Sequence, residues 1–197
     1  MEGIYHYKKA NFIKSITDMN QAPTPRLSEV LFVGKSNVGK SSLINALTNN
    51  KKLAYTSSKP GMTRLLNYFL IDDKFYFVDA PGYGYSSKKD LDYEMYGKMI
   101  DSYFHNNEYL KLVVFLLDSR HEPNEDDLLF YEYLMYNNIP SIFALTKVDK
   151  LNMSMKAKIK KNLVAKFKDF DENKLFLVSI NNYRLLEKLK DKIDSVI

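Results

Sequence analysis

The stretch GKSNVGKS, residues 34–41, decides the fold of this 197-residue chain. It follows the apolar run SEVLFV and precedes an amphipathic segment, so it joins a predicted strand to a predicted helix. In that context it matches the pattern G-x-x-x-x-G-K-[ST] of a phosphate-binding loop. Glycines let the backbone wrap around a polyphosphate, and N–H groups at the helix N-terminus point at its oxygens.

Two side chains of this loop have direct roles in such a site. Lys40 reaches the β- and γ-phosphates of a nucleotide, and the Ser41 hydroxyl can bind Mg²⁺. The residues expected to contact the nucleotide here are Gly34, Lys35, Ser36, Asn37, Val38, Gly39, Lys40, Ser41 and Ser42.

Short apolar runs on both sides of the loop alternate with amphipathic segments. Runs at 28–34, 74–79, 111–118, 139–146 and 174–179 are rich in β-branched or aromatic residues and predict strands buried on both faces. Residues 65–72 are joined to 74–79 by an Asp-Asp-Lys turn, which predicts an antiparallel hairpin. The alternation predicts an α/β fold with helices on both faces of a mostly parallel sheet, and ligands bind such sheets at the carboxyl ends of the strands.

A second motif follows the strand at 74–79. Asp79 lies at the carboxyl end of that strand, where an Asp beside a phosphate loop holds Mg²⁺, usually through water. Gly82, three residues on, can offer its backbone N–H to a γ-phosphate. D-x-x-G alone is a weak pattern, but it is a strong one at this distance after a phosphate loop.

A third motif, TKVD at residues 146–149, again follows a strand. The Asp149 carboxylate can accept two hydrogen bonds from guanine, which adenine cannot donate, so this position selects GTP. The Lys147 stem can pack along the base. Thr146 stands where many GTPases have Asn, which leaves its role in bracing the loop open. Ser179 and Ile180 end the last predicted strand and are weaker candidates for backbone contacts to the base.

The segment KPGMTRLLNY supplies a further metal ligand. A threonine in the loop before the hairpin can complete the Mg²⁺ shell when the γ-phosphate is present. We expect Thr63 to do so, with Gly61 beside it, and Thr56 is the alternative.

Charge is distributed unevenly along the chain. The net charge is +5, yet residues 150–197 carry twelve basic and six acidic residues. This asymmetry indicates either a polyanionic partner or a solvated lysine-rich helix face. No apolar stretch is long enough for a membrane span, and the N-terminus lacks the apolar core of a signal peptide, so neither a membrane nor secretion is expected.

The order and spacing of these motifs resemble a translation-factor-class GTPase. The closer resemblance, carried by SEVLFVGKSNVGKSSLINAL, KPGMTR, DAPGYGY and LTKVDK, is to the EngB (YihA/YsxC) family of ribosome-biogenesis P-loop GTPases. It implies a Ras-like fold with a six-stranded sheet and one antiparallel hairpin strand. Residues 1–27 are expected to form an irregular arm, and 28–197 a single GTPase domain.

The resemblance also implies an activity. It implies a cytoplasmic, monomeric GTPase that uses GTP/GDP and Mg²⁺ and binds the large ribosomal subunit or its RNA and proteins. The alternative is a GTP-regulated binding module with negligible turnover. The G domain of a membrane iron transporter is a third possibility, against which the lack of a membrane span argues.

Tyr83 stands where Ras-like proteins carry the glutamine that orients the attacking water. Because the family has an apolar or aromatic residue there, slow intrinsic hydrolysis is expected. Lys40, Asn37, Thr63 and Gly82 are the candidate catalytic residues. Asn37 either holds a K⁺ ion beside the β- and γ-phosphates, as in some relatives, or only braces the loop, and the ribosomal partner can instead supply the missing group.

Overall fold

The computed structural model describes residues 7–54, 65–84, 90–105 and 107–197, without the side chains of 90–93. Seven strands form one sheet: β1 (Ala10–Ile16), β2 (Ser28–Gly34), β3 (Leu66–Ile71), β4 (Phe75–Asp79), β5 (Leu110–Asp118), β6 (Ser141–Thr146) and β7 (Leu175–Leu177). Five α-helices occur in the described ranges: α1 (Lys40–Leu47), α2 (Asp90–Phe104), α3 (Glu125–Tyr136), α4 (Met153–Lys166) and α5 (Tyr183–Asp194).

The sheet has the order β1-β3-β4-β2-β5-β6-β7. Four neighbouring pairs, β2 with β4, β2 with β5, β5 with β6 and β6 with β7, are parallel. The hairpin pair β3–β4 is antiparallel, as the sequence predicts. The α/β class and the mostly parallel sheet are therefore confirmed, and β2 lies at the centre with the phosphate loop at its carboxyl end.

The predicted count of six strands is wrong, because β1 lies within the segment expected to be irregular. It pairs antiparallel with β3 and forms one edge of the sheet. Phe12 and Ile13 are exposed, and the register shifts between Phe12 and Lys14. An edge strand with exposed side chains on both faces shows no alternation of apolar and polar residues, so the signal on which strand prediction depends is absent.

Two apolar cores cover the two faces of the sheet. Side chains of α2, α3 and α4, including Tyr103, Phe130 and Leu163, pack on one face. Side chains of α1 and α5, including Leu43 and Leu189, pack on the other. Successive residues of β2 and β4 enter opposite cores, which confirms the prediction of strands buried on both faces.

The segment before β1 is attached to the second of these cores. Tyr7 is buried against the rings of Phe75 and Phe77, with centroid distances of 5.6 and 5.4 Å. Its hydroxyl donates a 2.6 Å hydrogen bond to Asp194 in α5, and its N–H donates to Asp72 in the β3–β4 turn. The N-terminal segment is thus part of the packed domain.

An asparagine side chain caps the N-terminus of each of the helices α3, α4 and α5. Asn124 caps α3 and forms a reciprocal capping box with Asp127. Helix α4 faces the core with Ile159 and Leu163, whereas Met155, in its first turn, is exposed. In the described ranges, no helix has both the length and the apolar character to cross a membrane.

Candidate functional site

The phosphate loop connects β2 to α1 by a tight turn. Val38 N donates to Lys35 O at 3.1 Å, and Asn37 adopts a positive φ of 63°. Gly39 follows with φ of 106°, a conformation that a residue with a side chain rarely adopts. The turn therefore needs glycine at this position, as the motif predicts.

Helix α1 begins directly after Gly39, so its N-terminus faces the concave side of the loop. The first hydrogen bond along the helix runs from Leu43 N to Gly39 O, at 2.9 Å. The N–H groups of Lys40, Ser41 and Ser42 precede that bond and have no partner within the helix. These donors and the positive end of the helix dipole suit an anionic phosphate group.

Lys40 and Asp79 form an ion pair on this concave side. Lys40 Nζ lies 2.8 Å from Asp79 Oδ1, and the two side chains are only 11% and 9% exposed. The ammonium group of Lys40 is therefore the partner of this buried oxygen. A shielded carboxylate at a strand end, paired with the residue that precedes Ser41, provides the kind of oxygen ligand that Mg²⁺ takes beside phosphates. The residues present therefore fit the metal.

The segment after Asp79 lies directly against the phosphate loop. Ser36 N donates to Tyr83 O at 3.0 Å, and the Ser36 hydroxyl lies 3.4 Å from Gly82 O. A Cβ atom at Gly82 would come within 2.8 Å of Ser36 N and Cα, so only glycine allows this approach. Gly82 is thus beside the loop, where the sequence places it.

Tyr83 points away from the phosphate loop and into the apolar core. Its ring stacks on Phe130, with centroids 5.7 Å apart, and is 6% exposed. Its hydroxyl donates a 2.6 Å hydrogen bond to Asp127 Oδ1 in the first turn of α3. Burial, followed by the neighbouring Asp127 carboxylate, raises the pKa of Tyr83 far above its ordinary value. The phenol remains a neutral donor to α3 and does not replace the catalytic glutamine.

Thr146 makes a hydrogen bond that braces the phosphate loop, which the sequence alone left undecided. Its Oγ1 lies 2.8 Å from Val38 O and 3.2 Å from Leu117 O, and it is buried. The hydroxyl can donate to either carbonyl, so Thr connects this strand end to the phosphate loop without the amide of Asn.

Lys147 reaches the same loop from the next position. Its Nζ donates to Asn37 O at 2.8 Å and to Asp118 Oδ2 at 2.7 Å. Arg120 forms a bidentate pair with Asp118, at 2.9 and 2.8 Å. Although partial burial acts to raise the pKa of Asp118, hydrogen bonds from Arg120 and Lys147 hold it below its usual range. The carboxylate therefore stays charged and fixes the Lys147 side chain.

Sequence reasoning missed Asp118 and Arg120, although a signal for them exists. Asp118 ends β5, so it belongs to the same row of strand ends as Asp79 and Thr146. A polar residue at that edge of a parallel sheet is a candidate site residue.

The base motif and the last strand end meet as predicted. Val148 N donates to Val178 O at 3.3 Å. A hydrogen bond from the Ser179 side chain lowers the pKa of the Asp149 carboxyl. Ser179 is buried, whereas Ile180 is half exposed. Asp149 is thus an oriented carboxylate at the edge of the sheet where β6 and β7 end.

Three predicted residues cannot be placed. Gly61, Thr63 and the alternative Thr56 lie outside the described residues. Asn37 is described, and it is exposed, with its backbone carbonyl held by Lys147.

A cavity of about 330 Å³ lies on the outer side of the phosphate loop. Its walls come from residues 35–38, the end of β5, the loop at 120–123, and Leu145 and Leu163. The cavity shares Lys35, Ser36, Asn37 and Val38 with the predicted phosphate contacts, so it adjoins the candidate nucleotide site.

Comparisons with known proteins agree with this geometry. A family model described as "50S ribosome-binding GTPase" matches residues 29–147. The protein named "Probable GTP-binding protein EngB" from Clostridium kluyveri is 44% identical over 190 residues, covering 96% of each chain. The chain belongs to the EngB family of GTP-binding proteins. The EngB protein of Exiguobacterium sibiricum is 48% identical over 150 residues, covering 76% of this chain and 78% of that relative.

Solved structures share the fold. A crystal structure of "a probable GTP-binding protein engB" superposes with a TM-score of 0.70 at 24% identity, covering 86% of this chain and 98% of the other. The G domain of the T. maritima FeoB iron transporter superposes with a TM-score of 0.54 at 26% identity, with the same coverage. Membership of the EngB family rests on the relatives above 40% identity, and it favours that family over the transporter.

Proposed function

We propose that this EngB-family chain is a Mg²⁺-dependent GTPase with a slow intrinsic rate that acts as a switch in assembly of the large ribosomal subunit. It acts in the cytoplasm as a monomer and alternates between GTP and GDP. The GTPase part rests most directly on one observation, the shielded ion pair of Lys40 and Asp79 at the N-terminus of α1.

Nucleotide binding exchanges the partner of Lys40. The phosphates take the ammonium group away from Asp79 and accept hydrogen bonds from the N–H groups that begin α1. Asp79 and Ser41 are then available to Mg²⁺, which neutralises charge on the β- and γ-phosphates when bound. Thr63 and the Gly82 N–H complete this side of the site when a γ-phosphate is present.

Guanine selection rests on Asp149, which Ser179 orients. The carboxylate accepts from two guanine N–H groups, and the Ser179–Ile180 backbone lies beside the base. Asp149→Asn should therefore shift the preference from guanine to xanthine nucleotides, measured by competition binding. Wild-type GTP affinity in the variant would remove Asp149 from this role.

The proposed slow rate follows from Tyr83. Its hydroxyl is engaged by Asp127 and has no amide with which to orient water. Hydrolysis then depends on phosphate binding by Lys40 and on a group supplied from elsewhere. A K⁺ ion held by Asn37 and a group from the ribosomal partner are the two sources.

The ribosomal part of the proposal rests on a family description and on the charge of the C-terminal quarter. The matching family model carries the description of a 50S ribosome-binding GTPase, and the net positive charge of residues 150–197 suits an RNA-rich partner.

The test is multiple-turnover phosphate release with and without purified large ribosomal subunits, with small subunits as the control. We expect slow release alone and strong stimulation by large subunits. GTP-dependent binding to large subunits with no turnover would favour the GTP-regulated binding module instead. Equal stimulation by both subunits would contradict the proposed partner.

The source of the missing group is tested by replacing KCl with NaCl at equal ionic strength. If Asn37 holds K⁺, hydrolysis by the protein alone falls in NaCl, and Asn37→Ala removes the difference. Equal rates in both salts assign the missing group to the partner.

A further inference from the structure

The net positive charge of the C-terminal quarter comes from one segment. Residues 150–168 contain seven lysines and no acidic residue, whereas residues 169–197 contain five basic and six acidic residues. The first segment is α4 with its short flanks, and the second includes α5. The excess of basic residues in the C-terminal quarter therefore comes from α4 and its short flanks.

Some of these lysines are used inside the protein. Lys160 pairs with Glu172 at 2.6 Å, and Lys166 pairs with Glu122 at 2.9 Å. Asn162 also donates to Glu122, at 2.9 Å. Together with the buried Ile159 and Leu163, these contacts fix the orientation of α4 on the domain.

The other lysines of α4, together with Lys168 just beyond its C-terminal end, have no such partner among the described residues. Lys158, Lys161 and Lys168 are exposed and Lys156 is half-buried, and none of the four forms an ion pair with a described residue. We call these four residues the α4 basic surface. The 14-residue helix is about 21 Å long, so the surface extends along several phosphate spacings of a nucleic acid.

Neither α3, on the same face of the sheet, nor α5, on the opposite face, extends this surface. Residues 124–137, which include α3, contain four acidic residues and no basic residue. On α5 the exposed Arg184 and Lys188 alternate with Glu187 and Asp191. A polyanion is therefore repelled from α3 and gains little net attraction from α5.

We propose that the α4 basic surface binds the sugar-phosphate backbone of ribosomal RNA. This proposal rests on the proposed ribosomal function and names the element that makes the contact. Lysines provide point charges without a fixed hydrogen-bonding plane, so they suit phosphates in any sequence and give no base readout. Helix α4 lies on the sheet face opposite α1, so RNA and nucleotide can bind at the same time.

The test compares two variants with the same change in net charge. Lys158, Lys161 and Lys168 are replaced by Gln in one variant, and Arg184, Lys188 and Lys192 by Gln in the control. Binding to purified large subunits and to deproteinised large-subunit RNA is measured from 50 to 300 mM KCl in wild type and both variants. Melting temperature and GDP affinity check that each variant is folded.

We expect the α4 variant to lose roughly tenfold in affinity near 0.15 M salt and its salt slope to fall by about 2–3, because three phosphate contacts are gone. The α5 control should keep wild-type binding. Replacing the same three α4 lysines by Arg should restore binding, since the charge is what matters.

Other outcomes separate the proposals. If the wild type binds neither large subunits nor their RNA, the proposed ribosomal function fails. If the wild type binds and both Gln variants bind equally well, or the α5 control loses as much, the α4 assignment is overturned. Loss of subunit binding in the α4 variant with no wild-type binding to naked RNA would identify an acidic protein as the partner and contradict RNA contact.

Discussion

Both ends of strand β2 lie beside buried charged groups, but the partners of those groups differ. At the carboxyl end, the strand runs into the phosphate loop, and Asp79 on the neighbouring strand is paired with Lys40. At the amino end, Glu29 is completely buried and accepts from Arg26 at 2.9 Å, Tyr103 at 2.7 Å and Asn107 at 3.1 Å.

The difference lies in where the partners come from. Glu29 has three donors, one just before β2 and two at or just after the end of α2, so its carboxylate is satisfied by the fold itself. The partner of Asp79 is the ammonium group of Lys40, which is the group that a phosphate would attract. A buried charge therefore indicates a functional site only when its partner can be exchanged for a ligand.

The largest effect is expected at the carboxyl end. Lys40→Ala should lower the GTP hydrolysis rate by about 10³-fold, which is roughly 4 kcal/mol of transition-state stabilisation. The melting temperature should fall less than in a Glu29 variant, because water can enter the phosphate cleft. Single-turnover phosphate release measures the rate, and Lys98→Ala on the exposed face of α2 is the control. Wild-type hydrolysis in the Lys40 variant would contradict the site.

At the amino end, a substitution should lower stability and leave nucleotide binding almost unchanged. Glu29→Gln removes the charge that Arg26 and two neutral donors require, and breaking such a buried pair costs about 3 kcal/mol. At this chain length the melting temperature should fall by roughly 6–12 °C. GDP affinity of the folded variant, measured at low temperature, should stay within twofold. A variant with reduced affinity and unchanged stability would reverse the comparison.

A smaller effect is expected at Asp118, which supports the site without touching a phosphate. Asp118→Asn should weaken GDP and GTP binding about tenfold each, near 1.4 kcal/mol, because Lys147 loses its anchor. Hydrolysis at saturating GTP should be unchanged, so KM rises and kcat does not. Asp101→Asn, on α2, is the matched control.

The pH dependence adds a second readout at Asp118. The pKa of Asp118 is lowered in the folded state. Its contribution to the free energy of unfolding is therefore complete above the ordinary Asp pKa and decreases as the pH falls below that value. The free energy of unfolding of the wild type should therefore decline as the pH falls below the ordinary Asp pKa, and the Asn variant should lack that part of the decline. Identical pH profiles would exclude Asp118 as the anchor.

The smallest effect is expected at Tyr83. Tyr83→Phe keeps the ring stacked on Phe130 but removes the hydroxyl that donates to Asp127, at a cost of about 1 kcal/mol in unfolding free energy. Hydrolysis should change less than twofold, because the hydroxyl takes no part in it. Chemical denaturation and phosphate release measure the two quantities. A large loss of hydrolysis without loss of stability would contradict this and place Tyr83 among the catalytic residues.

The sequence predicted most of the carboxyl end of the sheet, because the phosphate loop needs glycines and particular side chains at fixed positions. It did not predict the orientation of Tyr83, since a tyrosine in a loop can stack on a ligand or pack inward with equal ease. The pairing of Lys147 with Asp118 joins residues on two strand ends, and no local pattern records such a contact.

The fold was predictable where both faces of a strand are buried. Strands β2, β4 and β5 are continuous apolar runs, and their positions agree with the prediction within a residue or two. At the sheet edges the pattern weakens: β1 was missed, and β7 is three residues long where a run of six was predicted. Pairing with one neighbour and exposure to solvent remove the selection for apolar side chains that makes central strands visible.

The hydrogen bond between Tyr7 and Asp194 has a consequence for the order of synthesis. The two residues are 187 positions apart, yet the Tyr7 ring and α5 share one apolar core. A ribosome makes the N-terminal segment early and α5 late. The hydrogen bond of Tyr7 to Asp194 can therefore form only after nearly the whole sheet has been synthesised. The face of the sheet that carries α1 therefore closes only near the end of translation. A nascent chain halted before α5 would leave Phe75 and Phe77 incompletely covered, and the phosphate loop would have its helix without the full layer behind it.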